Sequence, residues 1–240
     1  NAGIAAANGV ECATLANLGF TSADDGLMGH QGFVGAHLPG EGAVTRPDLA
    51  LDSYKFPDNK YKLHACCHGL HPMIEALQAS EAAAGVPLDD IKSFSLSTNP
   101  RWLAVCDIKR PRTGLEVKFS YNWLAGMTLR GDNTADDRLF TDTIAGEAEL
   151  GRFAERISVT GDDQLTDLQA RGEISLTDGR AIPVWFDLAD PFAPEVLAEK
   201  LQRKSSTIIS DAGAAIWDLH PRLGQLGARD IASAMLAASA

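Results

Sequence analysis

One stretch constrains this chain more than any other: Lys62-Leu-His-Ala-Cys-Cys-His-Gly-Leu-His71, followed at once by Pro72. It holds three of the six histidines and two of the four cysteines. Proline suits the first position of a helix, and the residue before it is pushed out of the helical region. The stretch therefore predicts a helix that begins at Pro72 with His71 as its N-cap. Met73, Ile74 and Leu77 recur at helical spacing, and the pattern runs to about Ala84, before Gly85-Val-Pro87. Unpaired backbone N–H groups and the positive end of the helix dipole would then face the histidine-rich turn, an arrangement that favours an anion.

Composition narrows the partners. The net charge of −11 and a pI of about 4.9 argue against general nucleic-acid binding, which needs a basic face. No apolar run is long enough to cross a membrane, and no charged-then-apolar leader is visible. Four cysteines, two adjacent and none in a CxxC pair, make no disulfide framework, so a reducing, cytoplasmic protein is expected. With 45% hydrophobic residues the chain can bury a core. Within this acidic chain, Lys55, Lys60 and Lys62 meet only Asp58 and Glu75 in the central stretch. That local excess of positive charge suits a small polyanion.

Taken in order, residues 1–20 read as a helix of small residues ending near Gly19. Being apolar on most sides, it is expected to be buried among other helices, and the chain to be the later part of a longer protein. The recurrent Gly29, Gly32 and Gly35 are no dinucleotide fingerprint, because no strand precedes them. Alternation over Ile91–Thr98 predicts a half-buried strand. A turn of helix is expected over Trp102–Val105 and a longer helix over Lys118–Arg130. Strands are expected at Glu155–Thr160, Leu168–Leu176 and Ala181–Leu188, the last two joined through Asp178-Gly179, a hairpin signal. From Pro194 the pattern is helical again, and Trp102, Trp185 and Trp217 read as core. The fold class is thus α+β: part of an all-helical domain (1–43), a smaller α+β domain with a mainly antiparallel sheet (44–190), and C-terminal helices returning to the helical domain (191–240).

These residues resemble the later half of the MmgE/PrpD family, which includes 2-methylcitrate dehydratase, cis-aconitate decarboxylase and iminodisuccinate epimerase. Four segments carry the likeness: Asn1–Val10 with Leu18-Gly-Phe-Thr21, Lys62–His71, Thr113-Gly-Leu-Glu-Val-Lys-Phe-Ser120, and Asp178-Gly-Arg180. The resemblance implies a cytoplasmic homodimer about twice this long, acting on a small polycarboxylate without cofactor or metal. It implies a lyase or isomerase reaction of the 2-methylcitrate dehydratase kind. Epimerisation or decarboxylation of a related diacid is the alternative, as is a non-catalytic lid or dimerisation module. A front half would supply further histidines, an aspartate and a lysine, so these residues alone are expected to be inactive.

Such chemistry removes a proton or CO2 beside a carboxylate, and therefore needs a placed base and nearby cations. The resemblance puts Lys62 near the substrate and an active-site histidine of one member at Cys67. The catalytic candidates are Lys62, His68 and His71. Candidates for substrate binding are His64, Cys67, Lys118, Ser120 and Tyr121. Zinc is the rival reading of the histidine-cysteine stretch. Adjacent cysteines cannot easily both face one tetrahedral ion, and no second ligand pair has zinc-like spacing, so no metal is expected.

Overall fold

The computed structural model of the chain describes residues 2–29, 32–38 and 59–238. Lys55, Asp58 and His30 lie outside the described residues. The chain forms two compact units, Asn1–Asn59 and Lys60–Ala240.

In the first unit the helix α1 spans Ala2–Asn17, and Gly19 follows in the left-handed region at φ +86°. A short helix, α2, spans Phe33–His37. Every described side chain on α1 is exposed, including Ile4 and Val10, and the helices expected to bury it are not found among the described residues. Its alanine-rich sequence has the propensity to form a helix.

The second unit carries the sheet and its helices. Among the described residues four strands make one mixed, mostly antiparallel sheet in the order β2-β1-β3-β4. They are β1 (Ile91–Thr98), β2 (Ile157–Gly161), β3 (Gln169–Leu176) and β4 (Ala181–Asp187). β1 is central. It pairs in parallel with β2, Phe94 beside Ile157, and antiparallel with β3, Phe94 beside Ile174. The β3–β4 hairpin turns at Asp178-Gly179, where Gly179 takes φ +92°, a conformation costly for other residues.

Helix α3 (His71–Ala79) lies on β3 and β4. After it come α4 (Leu103–Cys106), α5 (Gly114–Val117), α6 (Tyr121–Leu129), α7 (Asp142–Ala145) and α8 (Ala148–Ala154). The C-terminal helices are α9 (Pro194–Ile209), α10 (Asp211–Trp217) and α11 (Ala228–Ala238). α6 packs between α3 and α8. Met73, Ile74, Phe94, Leu96, Leu124, Met127, Leu150 and Phe153 form the heart of the core.

Four local expectations are corrected. His71 is the first residue of α3, not its cap, because a 3-10 turn over His68–Leu70 already winds the chain and carries His71 into helical dihedrals (φ −60°, ψ −42°). α3 stops at Ala79, where Ser80 turns extended, and a separate turn reaches Gly85. The helix expected from Lys118 begins at Tyr121, because the Ser120 hydroxyl caps it by accepting from the Trp123 N–H at 3.3 Å. Trp185 is also no core residue: it sits on β4 with half its surface exposed.

Candidate functional site

The histidine-rich turn is clamped from both sides by backbone hydrogen bonds. The Ala65 N–H donates to the Thr134 carbonyl at 2.8 Å, and the Cys67 N–H to the Lys118 carbonyl at 3.0 Å. A third tie comes from α6. The Tyr121 hydroxyl donates to the Gly69 carbonyl at 2.9 Å, so Thr98, 3.1 Å away, donates to the tyrosine oxygen. The sequence-predicted residues Lys118, Ser120 and Tyr121 therefore lie beside the turn, but each is committed. The Lys118 ammonium pairs with Asp137 and lies 5.1 Å from the centre of the Phe140 ring. The Ser120 hydroxyl caps α6 and Tyr121 is fully buried.

The imidazoles meet where the turn enters α3. His64 and His71 pack edge to face with centroids 4.9 Å apart, and His68 lies tilted on His71 at the same separation. His64 is used at both nitrogens: Nε2 sits 3.0 Å from Glu75 Oε1, and Nδ1 sits 2.7 Å from Thr134 Oγ1. His71 is the opposite case. It is wholly buried, and neither ring nitrogen finds a hydrogen-bond partner among the described residues. Buried polar atoms are nearly always paired, because an unpaired one costs about 1–3 kcal/mol. His68 is half-buried.

The cations and the acid set the electrostatics. Helix α9 delivers Lys200, whose Nζ donates to Glu75 Oε2 at 2.8 Å, and Lys204, whose Nζ donates to the Lys62 carbonyl. Burial alone would raise the Glu75 carboxyl, but the hydrogen bonds from His64 and Lys200 outweigh it and hold it below the usual value. Burial lowers His64 despite its bond to Glu75. Burial, then His64, His68, Lys62 and Lys204, push His71 down to about 2. Burial, then Lys62, lowers His68. Burial and the nearby Lys62 lower Lys204. The Lys62 side chain itself is exposed. Cys66 is buried and its thiol pushed up by burial, while Cys67 is half-buried. A cleft of about 50 Å³, lined by His64, Glu75, Thr134, Lys200 and Lys204 among others, opens beside the turn. Among the described residues no group of three His, Cys, Asp or Glu side chains is arranged to hold a metal ion.

The structure thus brings Lys62, His64, Cys67, His68 and His71 onto one turn. It adds four residues that sequence reasoning did not assign to the site: Glu75, Thr134, Lys200 and Lys204. Two signals were available. Glu75 is the one acid in the apolar run Met73–Leu77, and Lys200 and Lys204 share a face of α9 at i, i+4 spacing.

This fold and turn define a class of α+β domain that gathers imidazoles and lysines at a helix entrance. The family model described as the MmgE/PrpD C-terminal domain matches residues 64–220, and the chain belongs to the MmgE/PrpD family, which includes dehydratases and related enzymes. Comparison with curated proteins gives no significant match. No helix among the described residues is long and apolar enough to cross a membrane.

Proposed function

We propose that this chain serves an MmgE/PrpD-type enzyme that acts on a small polycarboxylate by removing a proton next to a carboxylate, in the manner of a 2-methylcitrate dehydratase. The observation that carries this reading is the pair His68 and His71 beside Lys62, with the His71 nitrogens fully buried and without a partner among the described residues. A polycarboxylate has the acceptors and the charge that such a place lacks. Lys62 holds a substrate carboxylate or the enolate-like intermediate, where a fixed cation offsets charge as it develops. His68, held below its ordinary value and so uncharged near neutral pH, takes up the proton. The resemblance to the family supports a homodimer working in the cytoplasm, with no cofactor.

The test is turnover of 2-methylcitrate, citrate and cis-aconitate by the full-length protein, followed by NMR. Lys62→Ala is expected to lower turnover of the accepted substrate by about a hundredfold, the range typical for loss of one charge-stabilising group. Its circular dichroism should be unchanged, because the Lys62 side chain is exposed. Near wild-type turnover in this variant would refute the role of Lys62.

A further inference from the structure

His64 occupies a position at the turn that looks like a ligand site but is closed at both ends. Glu75, bonded to Lys200, is ionised and can only accept. The hydrogen between Glu75 and His64 therefore sits on His64 Nε2. The neutral ring then has an acceptor at Nδ1, and the Thr134 hydroxyl donates to it. Lys200, Glu75, His64 and Thr134 form one continuous chain of hydrogen bonds from α9 through α3 to the segment after α6. That chain fixes the His64 ring, and the His64 ring is one wall of the space that holds His71.

His71 itself has an N–H and a lone pair with no partner among the described residues. The groups that face it are His64, His68 and Lys62 from the turn and Lys204 from α9. Glu75, the acid bonded to His64, spends its oxygens on His64 and Lys200, and Asp167 acts on His68. His71 also opens helix α3, whose dipole presents the same sign of charge as the lysines. Every neighbour thus disfavours a second proton on the ring, while its single N–H remains available to an anion. A neutral imidazole at a helix start can polarise a carboxylate or carbonyl oxygen without carrying charge of its own. His71 is reached only when a neighbour moves, and His68 is the half-buried ring against it.

We propose that Glu75 is a positioning residue which, through His64, presents His71 to a substrate carboxylate as an uncharged N–H donor, leaving proton transfer to His68. This rests on the polycarboxylate reading of the site. It adds two assignments to that reading: the role of Glu75, and the division of labour between His68 and His71.

The test uses the full-length protein labelled with ¹⁵N, long-range ¹H–¹⁵N spectra of the imidazoles between pH 5 and 8, and citrate as the probe. In the wild type, His71 should keep one protonated and one bare nitrogen across that range, His64 should be bare at Nδ1, and citrate should shift the His71 N–H. Glu75→Gln can donate where Glu75 accepts, so it should change the His64 tautomer and weaken citrate binding roughly tenfold, the scale of loss when a supporting hydrogen-bond partner is removed. Thr134→Val removes the donor to Nδ1 while Glu75 still holds the hydrogen on Nε2, so it should leave the tautomer unchanged, free the ring at its other end and weaken citrate binding as well; a folding defect in one variant then does not stand alone. A His71 ring that becomes doubly protonated between pH 5 and 8 overturns the proposal. So does wild-type citrate affinity in either variant, and either result leaves the polycarboxylate reading standing. A wild type that shows no response to citrate overturns that reading, and the proposal with it.

Discussion

Helices α1 and α6 resemble each other as strings of residues and differ completely as structures. Both are apolar around most of their circumference. All nine residues of α6 are buried, whereas every described side chain of α1 is exposed. α6 has α3 on one side and α8 on another. Its side-chain donors are also provided for inside: Tyr121 donates to the Gly69 carbonyl, Asn122 to Ala154, Trp123 to Ile144 and Thr128 to Leu124, while Asn122 Oδ1 has no partner among the described residues. An even distribution of apolar residues therefore shows that a helix can be surrounded. Whether it is surrounded depends on segments far away in the chain.

The largest effect expected from this contrast is in α6. Leu124→Ala removes a fully buried side chain and should cost about 3 kcal/mol, within the usual range for a core leucine. Urea unfolding measures it, and a loss below about 1 kcal/mol would mean that α6 is not the packed element described.

A matched pair of glycines sharpens the comparison. A Cβ on Gly126 of α6 would lie 2.8 Å from Leu150 Cδ2 and 2.9 Å from Phe153 Cδ1, whereas one on Gly9 of α1 would meet nothing within 4 Å. Gly126→Ala should destabilise by roughly 1 kcal/mol, overpacking outweighing the gain in helix propensity. Gly9→Ala should strengthen its helix by about 0.5–1 kcal/mol, read as slower amide exchange in residues 2–17. Equal signs for the two would break the comparison.

Acid should separate the regions as well. His71 has its pKa depressed in the folded state, so the unfolded chain binds the extra proton. Stability is then complete above pH about 6.5 and falls as pH drops below it. Between pH 6.5 and 5.5 that group alone should remove about 1 kcal/mol from the second unit. His64 and His68 act in the same direction. α1 carries no histidine, so the protection factors of its amides should show no such dependence over this range.

The sequence was legible where local chemistry decides. β1 runs over Ile91–Thr98 as its alternation indicates, and the hairpin turns at Asp178-Gly179, where a left-handed residue is needed. The start at Pro194 was visible for the same reason. The parallel pairing of β2 with β1 was not, because it joins segments more than sixty residues apart and leaves no mark on either. At the site, the turn Lys62–His71 stood out by composition, but the state of each histidine did not. His64 and His71 are the same residue type in the same stretch. One is saturated by Glu75 and Thr134, which come from α3 and from the segment after α6, and the other has no partner among the described residues. Lys200 and Lys204 arrive from α9, so no reading of the turn alone could supply them.

Gly69 carries a last consequence. The Trp102 indole rests where a side chain at position 69 would begin, and its Nε1 is anchored to the Asp167 carbonyl at 2.8 Å. In a library randomised across this loop and sorted only for solubility, position 69 should come back as glycine while positions 62 and 68 drift. Sorting the same library for turnover should reverse the emphasis and recover the lysine and the imidazole, so the tolerance profile would separate the residue that shapes the loop from those that use it.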